Sequence, residues 1–295
     1  MSGESNGTVG VAPGAVLVTG ASTGIGRATA LHLATLGFRV FAGVRREADA
    51  AALRESKLPG LEPIFLDVTD AAQIAAAAER VGAATGSAGI AGVVNNAGIG
   101  VAGMLEFMPA EDLRRQFEVN VIGLVAVTQA FLPLVRRRAP DPGRIVHVGS
   151  SSGYLSAPLV GAYSASKFAV EAITDAMRLE LAPWRIHVSL VEPGAIDTPI
   201  FDKTNAEGDA RLAALPEEAR RLYQPTIDAI RATVAKRVGA ASPPETVARA
   251  VAHALLAARP RTRYRVGFDA KLQWALATLL PARGRDWVLS RYLGL

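Results

Sequence analysis

Residues 15–26 read Ala15-Val16-Leu17-Val18-Thr19-Gly20-Ala21-Ser22-Thr23-Gly24-Ile25-Gly26, and an apolar helical pattern starts at Ala28. A short β-branched run, a cluster of glycines and then helical periodicity describe a strand, a tight turn and a helix start. Backbone N–H groups at a helix N-terminus attract pyrophosphate; Gly20 allows the turn, and Gly24 and Gly26 let backbone and ligand approach closely. The spacing is G-x-x-x-G-x-G rather than the G-x-G-x-x-G fingerprint, so by itself it also fits an ordinary strand-to-helix turn.

Downstream, strand-like runs recur at 39–44, 62–66, 90–95, 144–149, 186–192 and 263–267, separated by helical patterns at 70–84, 110–138, 161–182 and 243–258. This alternation predicts βαβ units and an α/β, doubly wound parallel sheet of the Rossmann type, covered on both faces. We read residues 1–12 as a disordered leader, 13–267 as one domain and 268–295 as a C-terminal extension. The segment 193–242 is longer than a normal connection and carries its own helical pattern, so it is expected to be a lid or substrate loop. Ligands bind such sheets outside the carboxyl ends of the strands, where strand order reverses. Gly20–Gly26, Val44-Arg45, Asp67, Asn96-Ala97-Gly98, Ser150 and Pro193-Gly194 all fall at strand ends.

Tyr163 and Lys167 stand four residues apart, which on a helix puts a phenol and an ammonium on one face. An adjacent cation lowers a phenol's pKa from ~10 toward the working pH, making Tyr163 a candidate general acid/base. Alone, Y-x-x-x-K also fits a solvated surface pair.

Thr19-Gly20-x-x-x-Gly24-Ile25-Gly26, Asn95-Asn96-Ala97-Gly98, Asn120, Ser150 and Tyr163-x-x-x-Lys167 occur in the order, and at about the spacing, of the short-chain dehydrogenase/reductase family. The resemblance runs from about residue 15 to 200. Val40-Phe41-Ala42-Gly43-Val44-Arg45 is similar to the family's steroid and retinol dehydrogenases. The resemblance implies an oxidoreductase of CH–OH groups with Asn120, Ser150, Tyr163 and Lys167 as catalytic residues: Tyr163 exchanges the substrate proton, Ser150 bonds the reacting oxygen, Lys167 lowers the tyrosine pKa and grips the nicotinamide ribose, and Asn120 holds a relay water. Ser151 and Ser152 compete with Ser150, and Asn120 could also mend a helix kink. The implied cofactor contacts are Gly20, Ser22, Thr23, Gly24, Ile25, Gly26, Arg45, Asp67, Val68, Asn96, Ala97, Gly98, Tyr163, Lys167, Pro193, Gly194, Ile196 and Thr198. Asp67 could equally belong to a helix cap and Asn96 to a turn.

Cofactor choice turns on the end of the second strand, where NAD enzymes place an acid for the ribose 2′-hydroxyl. Val44 stands there and Arg45 follows, able to pair with a 2′-phosphate, with Ser22 and Thr23 as further donors. NADP(H) is therefore expected over NAD(H), against the alternative that Arg45 and Arg46 are a solvated pair. Leu155, Pro158, Leu159, Met104, Leu105, Ile200 and Phe201 would make an apolar pocket wall for a bulky steroid-, retinoid- or lipid-like alcohol or ketone, or would be core.

The 295-residue chain has no cysteine, which excludes disulfides and thiolate catalysis, and its four histidines lack ligand spacing, so no metal is assigned. No apolar run reaches the ~18–20 residues of a membrane span and residues 1–9 do not resemble a signal peptide, so a cytoplasmic protein is expected. Net charge is +5, and residues 259–295 alone hold eight arginines and lysines against two aspartates. Arg259, Arg261, Arg263 and Arg265 alternate as one strand face would, and an amphipathic helix ending at Pro281 follows. This extension packs over the domain or across a homodimer or homotetramer interface, or it touches a membrane surface; without interleaved stacking residues it is poor evidence for nucleic acid. A non-catalytic NADP(H)-binding sensor or scaffold is the rival reading, opposed by the presence of Asn120, Ser150, Tyr163 and Lys167 together.

Overall fold

The computed structural model describes residues 12–238 and 241–295, with side chains outside 201–203 and 234–238. The expected leader, apart from Ala12, lies outside the described residues. Seven strands, β1 (Ala15–Val18), β2 (Arg39–Val44), β3 (Leu61–Phe65), β4 (Gly92–Asn95), β5 (Arg144–Val148), β6 (Val188–Pro193) and β7 (Arg263–Val266), form one parallel sheet in the order β3-β2-β1-β4-β5-β6-β7. Each strand foreseen from its apolar run is present. The inner strands β1, β4, β5 and β6 are buried on both faces, as is β2 after Arg39, which explains why they read as continuous β-branched stretches rather than alternating ones; the edge strands β3 and β7 are half-buried.

Eleven α-helices are assigned among the described residues: α1 (Gly24–Thr35), α2 (Glu47–Arg54), α3 (Ala71–Thr85), α4 (Ala110–Phe117), α5 (Gly123–Arg137), α6 (Gly161–Glu180), α7 (Ile200–Ala213), α8 (Glu217–Val238), α9 (Glu245–Leu256), α10 (Phe268–Leu279) and α11 (Ala282–Leu293). The period-2 pleat divides the core. Val16, Val18, Val40, Val94 and Val146 face Ala30 and Leu33 of α1 and Val247 and Val251 of α9. Leu17, Phe41, Val93 and Ile145 face Ile74 and Val81 of α3 and Val127, Phe131 and Leu134 of α5. Asp70 caps α3 by accepting from Ala72 N (2.9 Å) and Gln73 N (3.1 Å).

Three sequence expectations need correction. The pattern over 110–138 is two helices joined by a π turn at Glu118–Ile122, because an extra residue in the turn leaves the apolar stripe nearly in phase. Counted as one helix, Ala110–Arg137 is long and apolar enough by length and composition to cross a membrane (28 residues, hydropathy 1.7), contrary to the expectation that no stretch is. Here its apolar side chains Leu124, Val127, Phe131 and Val135 are buried in the core. Finally, Pro281 does end α10, but it also precedes a further helix, α11, where a proline suits the first turn.

Phe131 is wholly buried between α5 and the sheet. Replacing it with alanine should cost about 3–5 kcal/mol of unfolding free energy in urea titration, since the flanking strands cannot collapse into the cavity.

Candidate active site

Strand order reverses between β1 and β4, and the crevice at their carboxyl ends is closed at its base by side chain–backbone bonds. Thr19 Oγ1 accepts from the N–H groups of Asn96 (2.9 Å) and Ala97 (3.0 Å), while Asn96 Nδ2 donates to the carbonyls of Thr19 (2.9 Å) and Gly20 (3.2 Å). Asn96 thus shapes the cradle with its amide already spent. Gly20 has φ +64°, and a Cβ on Gly26 would lie 2.1 Å from the Gly20 carbonyl oxygen, so any side chain there would push the loop open.

The residues present fit a dinucleotide. Thr23, at the N-cap of α1, makes no side-chain cap bond and the first turn holds no acid, leaving the orphan N–H groups to an incoming anion. Thr198 packs against Gly24, bringing the end of the segment 193–198 to the glycine loop, while Ile196 is buried and bridged to Ser242. Asp269 of α10 accepts from Ala195 N (2.7 Å), tying the C-terminal extension to this loop.

At the ends of β2 and β3, Arg45 Nη1 lies 3.6 Å from Asp67 Oδ2 with its guanidinium largely in solvent. Asp67 does not cap the helix. Its Oδ1 accepts from the N–H (3.0 Å) and hydroxyl (2.8 Å) of Thr69; burial pushes the carboxyl up, but these bonds and Arg45 outweigh it and hold it below the usual range. Arg46 instead forms a bidentate pair with Asp49 at the start of α2 (2.8 and 2.9 Å), so it is not simply a solvated partner of Arg45.

Tyr163 and Lys167 project from α6 toward Ser150 at the end of β5. Ser150 Oγ accepts from Ser152 N (3.1 Å), and the Ser150 hydroxyl is the neighbour that favours the charged form of the Tyr163 phenol. Lys167 Nζ donates to Val148 O (2.9 Å) and sits 5.7 Å from the Tyr163 ring centroid. Burial lowers the Lys167 ammonium to about 8, partly offset by Glu171. Burial likewise raises the Tyr163 phenol, and Ser150 lowers it only in part. The expectation that Lys167 lowers this phenol is therefore not met: the ammonium is directed at a carbonyl, and desolvation of the phenolate dominates.

Asn120 lies in the π turn, buried, with Oδ1 accepting from Ile99 N (2.9 Å) and Nδ2 donating to Ile99 O (3.0 Å) and Ser166 Oγ (3.1 Å). Ser166 in turn donates to Tyr163 O (2.7 Å), so Asn120 clamps the segment after Gly98 to the tyrosine helix. Gln116 does the same one turn earlier, accepting from Val101 N (2.7 Å) and donating to Ile99 O (2.9 Å). It was not singled out in the sequence, although its i−4 spacing from Asn120 is a readable signal.

Of the expected pocket wall, Met104 is buried, Leu105 is largely exposed beside Gly161, and Leu159 accepts from Gly103 N (2.8 Å), which joins the two apolar stretches. The Phe201 side chain lies outside the described ones. Helix α7 is fastened over this region through Arg211 to Asp112 (2.6 Å) and Thr204 to Gly100 O (3.3 Å). Two surface clefts of about 440 and 510 Å³ lie at the opposite, amino-terminal end of the sheet and contain none of these residues.

Residues 14–209 match the family described as short chain dehydrogenase. The chain belongs to the short-chain dehydrogenase/reductase family. As such it is an oxidoreductase acting on CH–OH groups. It is 35% identical to retinol dehydrogenase 5 of Mus musculus (94% of this chain, 89% of the relative) and 33% identical to an NADPH-dependent 3-dehydrocapnine reductase of Ornithobacterium rhinotracheale (94% and 96%). Among solved structures, a short-chain dehydrogenase from Streptomyces avermitilis aligns with a TM-score of 0.74 at 31% identity (95% of this chain, 97% of that one). Another from Burkholderia cenocepacia, in complex with NADP, aligns at 0.69 and 26% (95% and 97%).

Gly26→Ala in this dehydrogenase should abolish measurable dinucleotide binding, because the added methyl has only the Gly20 carbonyl and the Asn96 amide to displace. Cofactor fluorescence titration checks it; normal affinity would mean the cradle is not used.

Proposed function

We propose that this protein is an NADP(H)-dependent oxidoreductase interconverting an alcohol and its ketone or aldehyde on a bulky apolar substrate. The observation that carries the reading is the meeting of Tyr163, Ser150 and Lys167 at the mouth of a glycine-lined crevice. Bound nicotinamide would supply or accept the hydride.

The chain's own residues handle the proton. Tyr163 Oη takes it from the alcohol or returns it to the carbonyl oxygen, and the neighbouring Ser150 hydroxyl orients the same oxygen. Lys167 contributes positive charge beside both. Asn120 and Gln116 hold the floor of the crevice against α6, keeping the phenol in register.

Support for NADP(H) comes from the end of β2, where Val44 offers no carboxylate to a ribose hydroxyl and the Arg45 guanidinium, only loosely paired with Asp67, is free to turn to a 2′-phosphate. The names of the reductase relative and of the NADP complex point the same way. For the substrate, Met104, Leu105 and Leu159 offer apolar surface, and the retinol dehydrogenase relatives favour a lipophilic alcohol.

Tyr163→Phe should lower turnover by about 10²- to 10⁴-fold while cofactor still binds, the contribution expected of general acid/base catalysis. Near-normal turnover would remove the mechanism. Arg45→Ala should reduce the preference for NADPH over NADH by roughly ten- to a hundredfold, read from kcat/KM with each cofactor, as loss of one charged hydrogen bond of ~1.5–3 kcal/mol requires.

A further inference from the structure

Behind the tyrosine helix lies a buried group of charges that the proposed reaction does not use. Glu171 follows Lys167 by one turn of α6, its side chain 15% exposed, and Glu192 stands at the end of β6, 1% exposed. Arg263 of β7 reaches both: the same nitrogen, Nη1, donates to Glu171 Oε2 and, at 3.0 Å, to Glu192 Oε1, while Nη2 donates to Asp175 Oδ2 at 2.7 Å. Arg265 approaches Glu192 Oε2 at 3.6 Å. Arg263 and Arg265, which the sequence placed on a basic face, are thus taken up by carboxylates.

The oxygens do not all find partners. Glu171 Oε1 and Glu192 Oε2 are buried without a hydrogen bond, and Glu171 Oε1 lies against Gly153, whose added Cβ would be 3.0 Å away. Two carboxylates on one guanidinium nitrogen repel, so ionising both is costly and they titrate as a pair. The charged and titratable groups around Glu171 are Lys167 and Asp175 from α6, Glu192 from β6, Arg263 and Arg265 from β7, and Tyr154 beside Gly153, on which Asp269 of α10 also acts.

We infer that Glu171 is a positioning residue: held by Arg263, its carboxylate keeps the ammonium of Lys167 charged inside the protein, and Glu192 decides when that carboxylate is ionised. The inference rests on the reading of Lys167 as the cation of the site. Burial alone would drive Lys167 toward the neutral amine, and Glu171 is the charge that opposes it. Burial and the neighbouring Glu192 carboxylate push Glu171 above the usual carboxylate range, so it supplies its counter-charge to Lys167 only once the pH has risen past that range. The pair therefore sets the upper pH range over which the site stays cationic.

The chain has five lysines, so ¹³Cε-lysine labelling of the full-length protein, free of cofactor and substrate, yields a resolvable NMR spectrum, with Lys167 assigned by its absence in Lys167→Arg. In Glu171→Gln the Lys167 midpoint should fall by about one pH unit or more, the size expected for removing a nearby opposite charge, and Glu171→Asp should restore at least half of the fall. An unchanged midpoint in a folded Glu171→Gln variant overturns the inference. Should that variant not fold, the wild-type curve decides: a second, smaller step of the Lys167 signal below its main midpoint and above the usual carboxylate range, where the raised Glu171 titrates, supports the coupling, and a single step contradicts it. Because no cofactor or substrate is present, failure here is distinct from failure of the proposed reaction.

Discussion

The divergence of β1 and β4 is the constraint on which the site depends. Parallel strands wound outward from that point leave their carboxyl ends uncovered, and the gap would open further were it not closed by Thr19 and Asn96. Four short hydrogen bonds across it bring the glycine loop and the 96–98 turn together. From there the geometry propagates: Gly98 leads to Ile99, Ile99 is gripped by Asn120 and Gln116, and Ser166 passes the constraint to the backbone of Tyr163. The cradle and the phenol belong to one connected set of bonds.

Burial is the second shaping force. It favours neutral forms at Tyr163 and Lys167 together, raising the phenol and lowering the ammonium. His147, wholly buried beneath, is driven down to about 3 and stays neutral, bonded through Nδ1 to Thr174 Oγ1 at 2.9 Å. Among the described residues, the carboxylate of Glu171 opposes this trend at Lys167. Electrostatic preparation of the site therefore comes from behind the catalytic helix as well as from its exposed face.

Much of this was legible in the chain. Strands buried on both faces announce themselves as unbroken apolar runs, and residues at their ends, Gly20, Arg45, Asp67, Asn96, Ser150 and Pro193, could be placed in the crevice without coordinates. What was not legible depended on long-range contact. Glu171, Glu192 and Arg263 come from three separate elements and look like ordinary solvated charges until the fold buries them. The π turn at Asn120 hid because it does not interrupt the apolar stripe, and α11 hid because Pro281 was read only as an end. The direction of the Tyr163 shift was missed because spacing reports the nearby cation and says nothing of desolvation.

Incubating the full-length protein with NADPH and a panel of lipophilic ketones and aldehydes, and following the absorbance of the reduced cofactor, tests the central claim most directly. Carbonyl-dependent oxidation of NADPH, faster than that of NADH, is the result the account predicts. No consumption of either cofactor with any member of the panel, in a protein that binds NADPH, would contradict it and favour a binding protein that performs no reduction.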